Sequence, residues 1–254
     1  MSLLELDRVT VRYGGVTAVD DVSFGVEEGA LVGLIGPNGA GKTTMIDAIT
    51  GMTRHEGDIR LDGRSLRGWP PHRRSQAGIN RTFQSLELFM DLTVRENLLT
   101  YSGARSGARA QPDPEAVEFA LEQLDVGWAA DAYPSELSHG SGRLVSVARA
   151  LAARPRLLLL DEPAAGLDAH ESVQLGVKLR ELVDSGVATI LLVDHDVELI
   201  LGVCDDIQVL DFGKRIAHGP PAVIREDPNV ARAYLGTDVS KPPVPAAAAV
   251  VEAL

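Results

Sequence analysis

The chain of 254 residues has one cysteine, Cys204, so it cannot form an internal disulfide, which suits a reducing cytosol. A lone cysteine of this kind reads as a small apolar residue of the core. A basic excess is also missing. The formal net charge is −12, which argues against a nucleic-acid binder, because phosphate backbones attract clustered Lys and Arg. No stretch approaches the roughly 18 consecutive apolar residues of a membrane span. The best runs, 157–160 and 188–193, have the length of buried strands. The opening "MSLLELDRVTVRYGG" has neither the basic start nor the long apolar core of a signal peptide. If the protein works at a membrane, another subunit is expected to supply the membrane part. No internal repeat is visible. Apolar and charged contents of 45% and 24% are those of an ordinary globular protein with room for a sizeable core.

The most informative stretch is Gly36-Pro37-Asn38-Gly39-Ala40-Gly41-Lys42-Thr43-Thr44, which fits the P-loop pattern G-x-x-x-x-G-K-[ST]. An apolar run, "ALVGLI", precedes it, and a helical pattern with Met45, Ile46 and Ile49 on one side follows. Strand, glycine turn and helix form the context that the motif requires. The glycines allow several backbone N–H groups to converge on one phosphate, and the helix N-terminus adds its partial positive charge. Lys42 would reach the β- and γ-phosphates, and the Thr43 hydroxyl would ligate Mg²⁺. The chain is therefore expected to bind a nucleoside triphosphate.

Around this unit, residues 3–13, 22–26 and 57–62 read as strands bounded by turn residues, material for a separate antiparallel sheet. Residues 64–77 read as a connector with one short helix, and 79–84 as a strand ending in a polar amide. Residues 93–100 and 114–124 read as helices, the second opened by Asp113-Pro114 with Val117, Ala120, Leu121 and Leu124 on one face. The Gly/Ala/Ser/Arg-rich stretch 102–111 between them is expected to be a mobile loop, which makes residues about 90–150 a mostly helical insertion. After Pro155 come the strand "LLLLDEP", a helix with Leu175, Leu179, Leu182 and Val183 on one face, the strand "ATILLV" and a helix from Val197. Strands that alternate with helices indicate parallel βαβ units, hence an α/β fold. A hairpin over 205–219 turning at Phe212-Gly213 and a helical pair over 221–233 complete the pattern. The tail, 237–254, has no periodicity that a core could use and is expected to be disordered.

A P-loop hydrolase needs a carboxylate at the end of a neighbouring buried strand. Asp161 stands there and would hold the Mg²⁺ shell, and Glu162 follows as the group that orients or deprotonates the attacking water.

Taken in order, these elements resemble an ATP-binding-cassette (ABC) ATPase over residues 3–236. They are Tyr13, the P-loop, Gln84 at a strand end, "LSHGS" at 137–141, "LLLLDEP", Gly166-Leu167-Asp168 and His195. The resemblance implies a P-loop NTPase with a RecA-like parallel core, an antiparallel β subdomain and an inserted α-helical subdomain. It implies that Tyr13 stacks on adenine, and that Gln84 contacts Mg²⁺ and the lytic water and moves with the permease interface. By the same resemblance His195 contacts the γ-phosphate and steadies Glu162, and Ser138 and Gly140 contact the γ-phosphate of ATP held by the opposite subunit. Asp168 matches the aspartate that crosses the dimer interface, and it also suits a helix N-cap. The signature departs from the common form: Ser141 replaces a glutamine, His139 a small residue, and Gly142 and Leu144 polar or basic ones.

The segments "NRTFQSLELFMDLTVRENLL" and "VDHDVELI…RAYLG" are similar to those of branched-chain amino acid importer ATPases, a group with relatives for urea and short amides. That similarity implies two permease subunits at the cytoplasmic face of the membrane and an extracytoplasmic substrate-binding protein. It also implies a second ATPase subunit, identical or a paralogue, with no nucleic acid partner. Residues 85–92, with Leu86, Leu88, Phe89 and Met90, fall where such subunits grip a permease helix. Two other classes fit the sequence less well. Ribosomal and repair ABC proteins usually carry a second cassette or a long coiled coil, which this chain does not show. A regulatory module without turnover would not need Glu162 and His195.

Overall fold

The computed structural model describes residues 2–83, 85–103 and 111–235. Its centre is a six-stranded sheet of β3 (Leu31–Ile35), β6 (Ile79–Arg81), β7 (Leu157–Asp161), β8 (Thr189–Val193), β9 (Asp206–Asp211) and β10 (Lys214–Gly219), in the order β10-β9-β3-β8-β7-β6. Its inner strands β3, β7 and β8 are buried along their whole length. All neighbours are parallel except β10, which returns along β9 as an antiparallel edge. A strand with both faces covered reads as an unbroken apolar run, and alternate side chains enter different layers. Thus Leu158 and Leu160 join one core with Ile190 and Leu192, while Leu157 and Leu159 join the other with Leu191 and Val193.

The second core lies between the large sheet and a four-stranded antiparallel sheet, β2-β1-β4-β5, with α1 (Lys42–Thr50) inside it. The strands are β1 (Ser2–Tyr13), β2 (Val16–Glu27), β4 (Glu56–Leu61) and β5 (Arg64–Ser65). β2 is longer than its apolar alternation suggested, because the β1–β2 ladder shifts register at several points and so absorbs the polar Asp20-Asp21. β5, only two residues long, carried no pattern to read. The connector contains α2 (Pro71–Gln76), whose buried Arg74 donates to Ala48 O and Ile49 O in α1, and to Leu66 O. It satisfies helix-end carbonyls that would otherwise lack donors.

The first core is closed by helices α3 (Val94–Leu99), α4 (Pro114–Gln123), α5 (His139–Leu151), α6 (Ala169–Asp184), α7 (Val197–Val203) and α8 (Pro221–Glu226). A ninth helix, α9 (Pro228–Leu235), follows. Expected faces are found buried: Val117, Ala120, Leu121 and Leu124, then Leu175, Leu179, Leu182 and Val183. Strand β6 ends at Arg81, earlier than the run 79–84 suggested, and Gln84 lies outside the described residues, as do 104–110 of the Gly/Ala-rich loop and the tail expected over 237–254.

Candidate nucleotide site

The carboxyl ends of β3, β6, β7 and β8 share one edge of the sheet, the place where open α/β sheets hold ligands. β3 runs into the P-loop. At Gly36 φ is 153°, and a Cβ there would lie 2.2 Å from Leu210 O, so only glycine lets the chain pass β9 so closely. Gly41 caps α1 with φ 102°, and a Cβ there would lie 2.5 Å from Ala18 O. Lys42 Nζ donates to Gly36 O at 2.7 Å and Pro37 O at 3.2 Å, which folds the loop around the ammonium. Burial lowers the Lys42 pKa, while Glu162, Asp161 and Asp194 push it back up. Thr43 and Thr44 open the first turn of α1, and Pro37, Asn38, Gly39 and Ala40 form one wall of an open hollow of about 730 Å³. Phe212, Ile216, Asn229 and Arg232 also line it, so the C-terminal hairpin and α9 sit beside the loop.

Asp161 closes β7 and is nearly fully buried. Burial pushes its carboxyl pKa up, and Arg81 beside it pulls down. Glu162 follows with φ 48°, and its N–H donates to Val193 O. That turn carries its side chain to 3.7 Å from His195 Nδ1, measured at Oε2, so the structure brings Glu162 and His195 together from two strand ends. A residue that the sequence reading passed over organises both. Asp194, with no exposed side-chain surface, accepts the N–H groups of His195 at 2.8 Å, Asp196 at 2.9 Å and Ala164 at 3.0 Å. Burial pushes its pKa up against these bonds, and one carboxylate thereby ties the turn after β7 to the turn after β8. Its one sequence signal is an acid directly after four apolar strand residues.

Other expected residues lie elsewhere. Tyr13 ends β1, half exposed. Ser138 is the N-cap of α5, with Oγ accepting the Ser141 N–H, so Ser141 serves the cap where a glutamine is usual. Gly140 packs on the start of α6, where a Cβ would lie 2.6 Å from Glu171 Oε1. His139 Nε2 and Arg143 Nη2 both bond Ala165 O, which joins the signature helix to the segment before Asp168. Asp168 caps α6 in a reciprocal box with Glu171. Among the described residues no cluster of three metal-ligating side chains occurs. A nucleotide-borne Mg²⁺ does not need one, since it takes one or two protein oxygens and fills the rest with phosphate and water. A hydroxyl at Thr43 and a carboxylate at Asp161 fit that demand.

Residues 19–165 match the ABC transporter family, and residues 214–240 match the branched-chain amino acid ATP-binding cassette transporter family. The high-affinity branched-chain amino acid transport ATP-binding protein BraF of Pseudomonas aeruginosa is 38% identical over 249 residues, covering 92% of this chain and 98% of its own. The lipopolysaccharide export system ATP-binding protein LptB of Escherichia coli is 36% identical over 239 residues, covering 94% and 99%. The crystal structure of the ADP conformation of MJ1267, an ATP-binding cassette of an ABC transporter, superposes with a TM-score of 0.83 at 29% identity, covering 93% and 99%. The chain belongs to the ABC transporter family and is an ATP-hydrolysing, ATP-binding subunit of that kind.

Proposed function

We propose that this subunit powers uptake of branched-chain amino acids or related amides through separate permease subunits. It would work as a peripheral protein on the cytoplasmic face of the membrane, with cargo delivered by an extracytoplasmic binding protein. The observation that carries the importer reading is the match of residues 214–240 to the branched-chain amino acid group, in a segment whose Ile216, Asn229 and Arg232 line the hollow beside the P-loop. No helix among the described residues is long and apolar enough to cross a membrane, which supports a separate permease. Phe89 and Met90, both more than half exposed, suit its docking.

In this reading Tyr13 stacks on adenine, and the backbone from Gly36 to Thr44 cradles the phosphates. Lys42 leaves its two carbonyls for the β- and γ-oxygens. Thr43, Asp161 and Gln84 would hold Mg²⁺, which would neutralise charge on the transferring phosphate. Glu162 orients the attacking water and takes its proton, and His195 steadies Glu162 and contacts the γ-phosphate. Among the described residues no hydrogen bond or ion pair joins Ser138, Gly140 or Asp168 to the P-loop of the same chain. This supports their contacting nucleotide on a second ATPase subunit, a copy or a paralogue.

Deleting the gene and following uptake of radiolabelled leucine, isoleucine, valine and urea tests the cargo class. Loss of one of these uptakes, restored by the wild-type chain and not by Glu162→Gln, is expected. Unchanged uptake together with a defect in lipid export would favour the other relative's role and sink the importer reading.

A further inference from the structure

Arg81 ends β6, three residues before Gln84, with only 8% of its side chain exposed. Its Nη2 donates to Asp161 Oδ2 at 2.7 Å, and its Nη1 to Asp47 Oδ1 at 2.5 Å. Asp47 lies in α1, the helix that the P-loop opens. One guanidinium therefore joins the P-loop helix, the strand leading to Gln84 and the end of β7. The Phe83 ring lies 4.9 Å from its centre, and its buried Nε has no hydrogen-bond partner among the described residues. The group is held mainly by its two carboxylates, with a weak contact from Nη1 to Met52 Sδ at 3.9 Å. A charge buried in this way is a poor means of gaining stability, since apolar residues of similar volume often do as well.

An aspartate's terminal torsion is broad and two-fold, so a carboxylate at a strand end has no intrinsic orientation. A charge-assisted bond to one oxygen supplies one. We propose that Arg81 is a positioning residue for the magnesium-side carboxylate: by holding Oδ2 of Asp161 it fixes that group's orientation and registers it against the P-loop helix through Asp47. The inference rests on the reading of Asp161 as the Mg²⁺-side residue.

Its test is the Mg²⁺ dependence of the full-length protein. A fluorescent ATP analogue is titrated in EDTA and then with MgCl₂, and ATP hydrolysis is followed against Mg²⁺ at saturating ATP. Wild type is the control for the parent reading: if Mg²⁺ neither tightens binding nor supports hydrolysis there, that reading fails and this inference falls with it. With wild type behaving as expected, Arg81→Met should raise the half-saturating Mg²⁺ about tenfold, the scale of one lost charged hydrogen bond. Affinity in EDTA should stay within about twofold of wild type on the same scale. Arg81→Lys, which keeps a cation and one contact, should fall between. Unchanged Mg²⁺ dependence in Arg81→Met overturns the proposal, and so does an equal loss of affinity with and without Mg²⁺, the mark of a merely structural clip. Should Arg81→Met fail to fold, Arg81→Lys decides by the same criteria.

Discussion

Glu162 and His195 meet because Asp194 holds the turns that present them, so the proposed proton acceptor and its neighbour are placed before nucleotide arrives. Glu162→Gln keeps size and turn while removing the base. Steady-state hydrolysis should fall by roughly 10²–10⁴-fold, the range for a lost general base, while ATP still binds. The trapped protein should elute as a dimer in ATP. Phosphate release and gel filtration check this, and ordinary turnover would remove Glu162 from the role. Most residues of the candidate site were legible as candidates because each motif is local: Gly36 to Thr44 and Asp161-Glu162 announce themselves within a few positions. Asp194 and Arg81 were not legible, because what they do depends on carboxylates and N–H groups brought from other strands. Cys204 was read as a core residue, and burial indeed pushes its thiol pKa far up.

At the scale of elements, the 85–92 loop is pinned from two sides. Fully buried Asn97 in α3 accepts the Phe89 N–H and donates to Phe89 O, Leu92 O and Thr93 O. Arg149, near the far end of α5, donates to Leu86 O at 3.2 Å and Glu87 O at 2.5 Å, with the Tyr101 ring 4.8 Å away. The helix capped by Ser138 thus also grips the loop that carries exposed Phe89 and Met90. Arg149→Met should release that grip. Amide exchange over residues 85–92 should quicken by about tenfold or more, the scale of losing charged hydrogen bonds, with nucleotide affinity little changed. Exchange at the wild-type rate would mean that Asn97 suffices. Helices were readable from their apolar faces. The long β2 and short β5 were not, since register shifts and a two-residue ladder leave no period to detect.

For the whole molecule, the proposed contact of Ser138 and Gly140 with nucleotide on a second subunit would make one copy half of a site. Hydrolysis by the purified chain should rise with the square of protein concentration at the dilute end and become linear as dimers saturate. Specific activity measured across a dilution series checks this, and a constant value would establish a self-sufficient monomer. The α/β architecture with its second sheet was legible because doubly covered strands are unbroken apolar runs. The seating of the C-terminal segment against the P-loop was not, since nothing in a hairpin and two short helices says what they pack on.

Glu162 sits with φ 48°, a left-handed backbone that side chains adopt at a cost of about 1–3 kcal/mol and glycine adopts freely. Folding and the proposed chemistry therefore ask for different residues at this position. A library of variants sorted for heat resistance alone would drift to glycine at 162 and yield a hardier, inert protein. Only sorting for turnover would keep the glutamate.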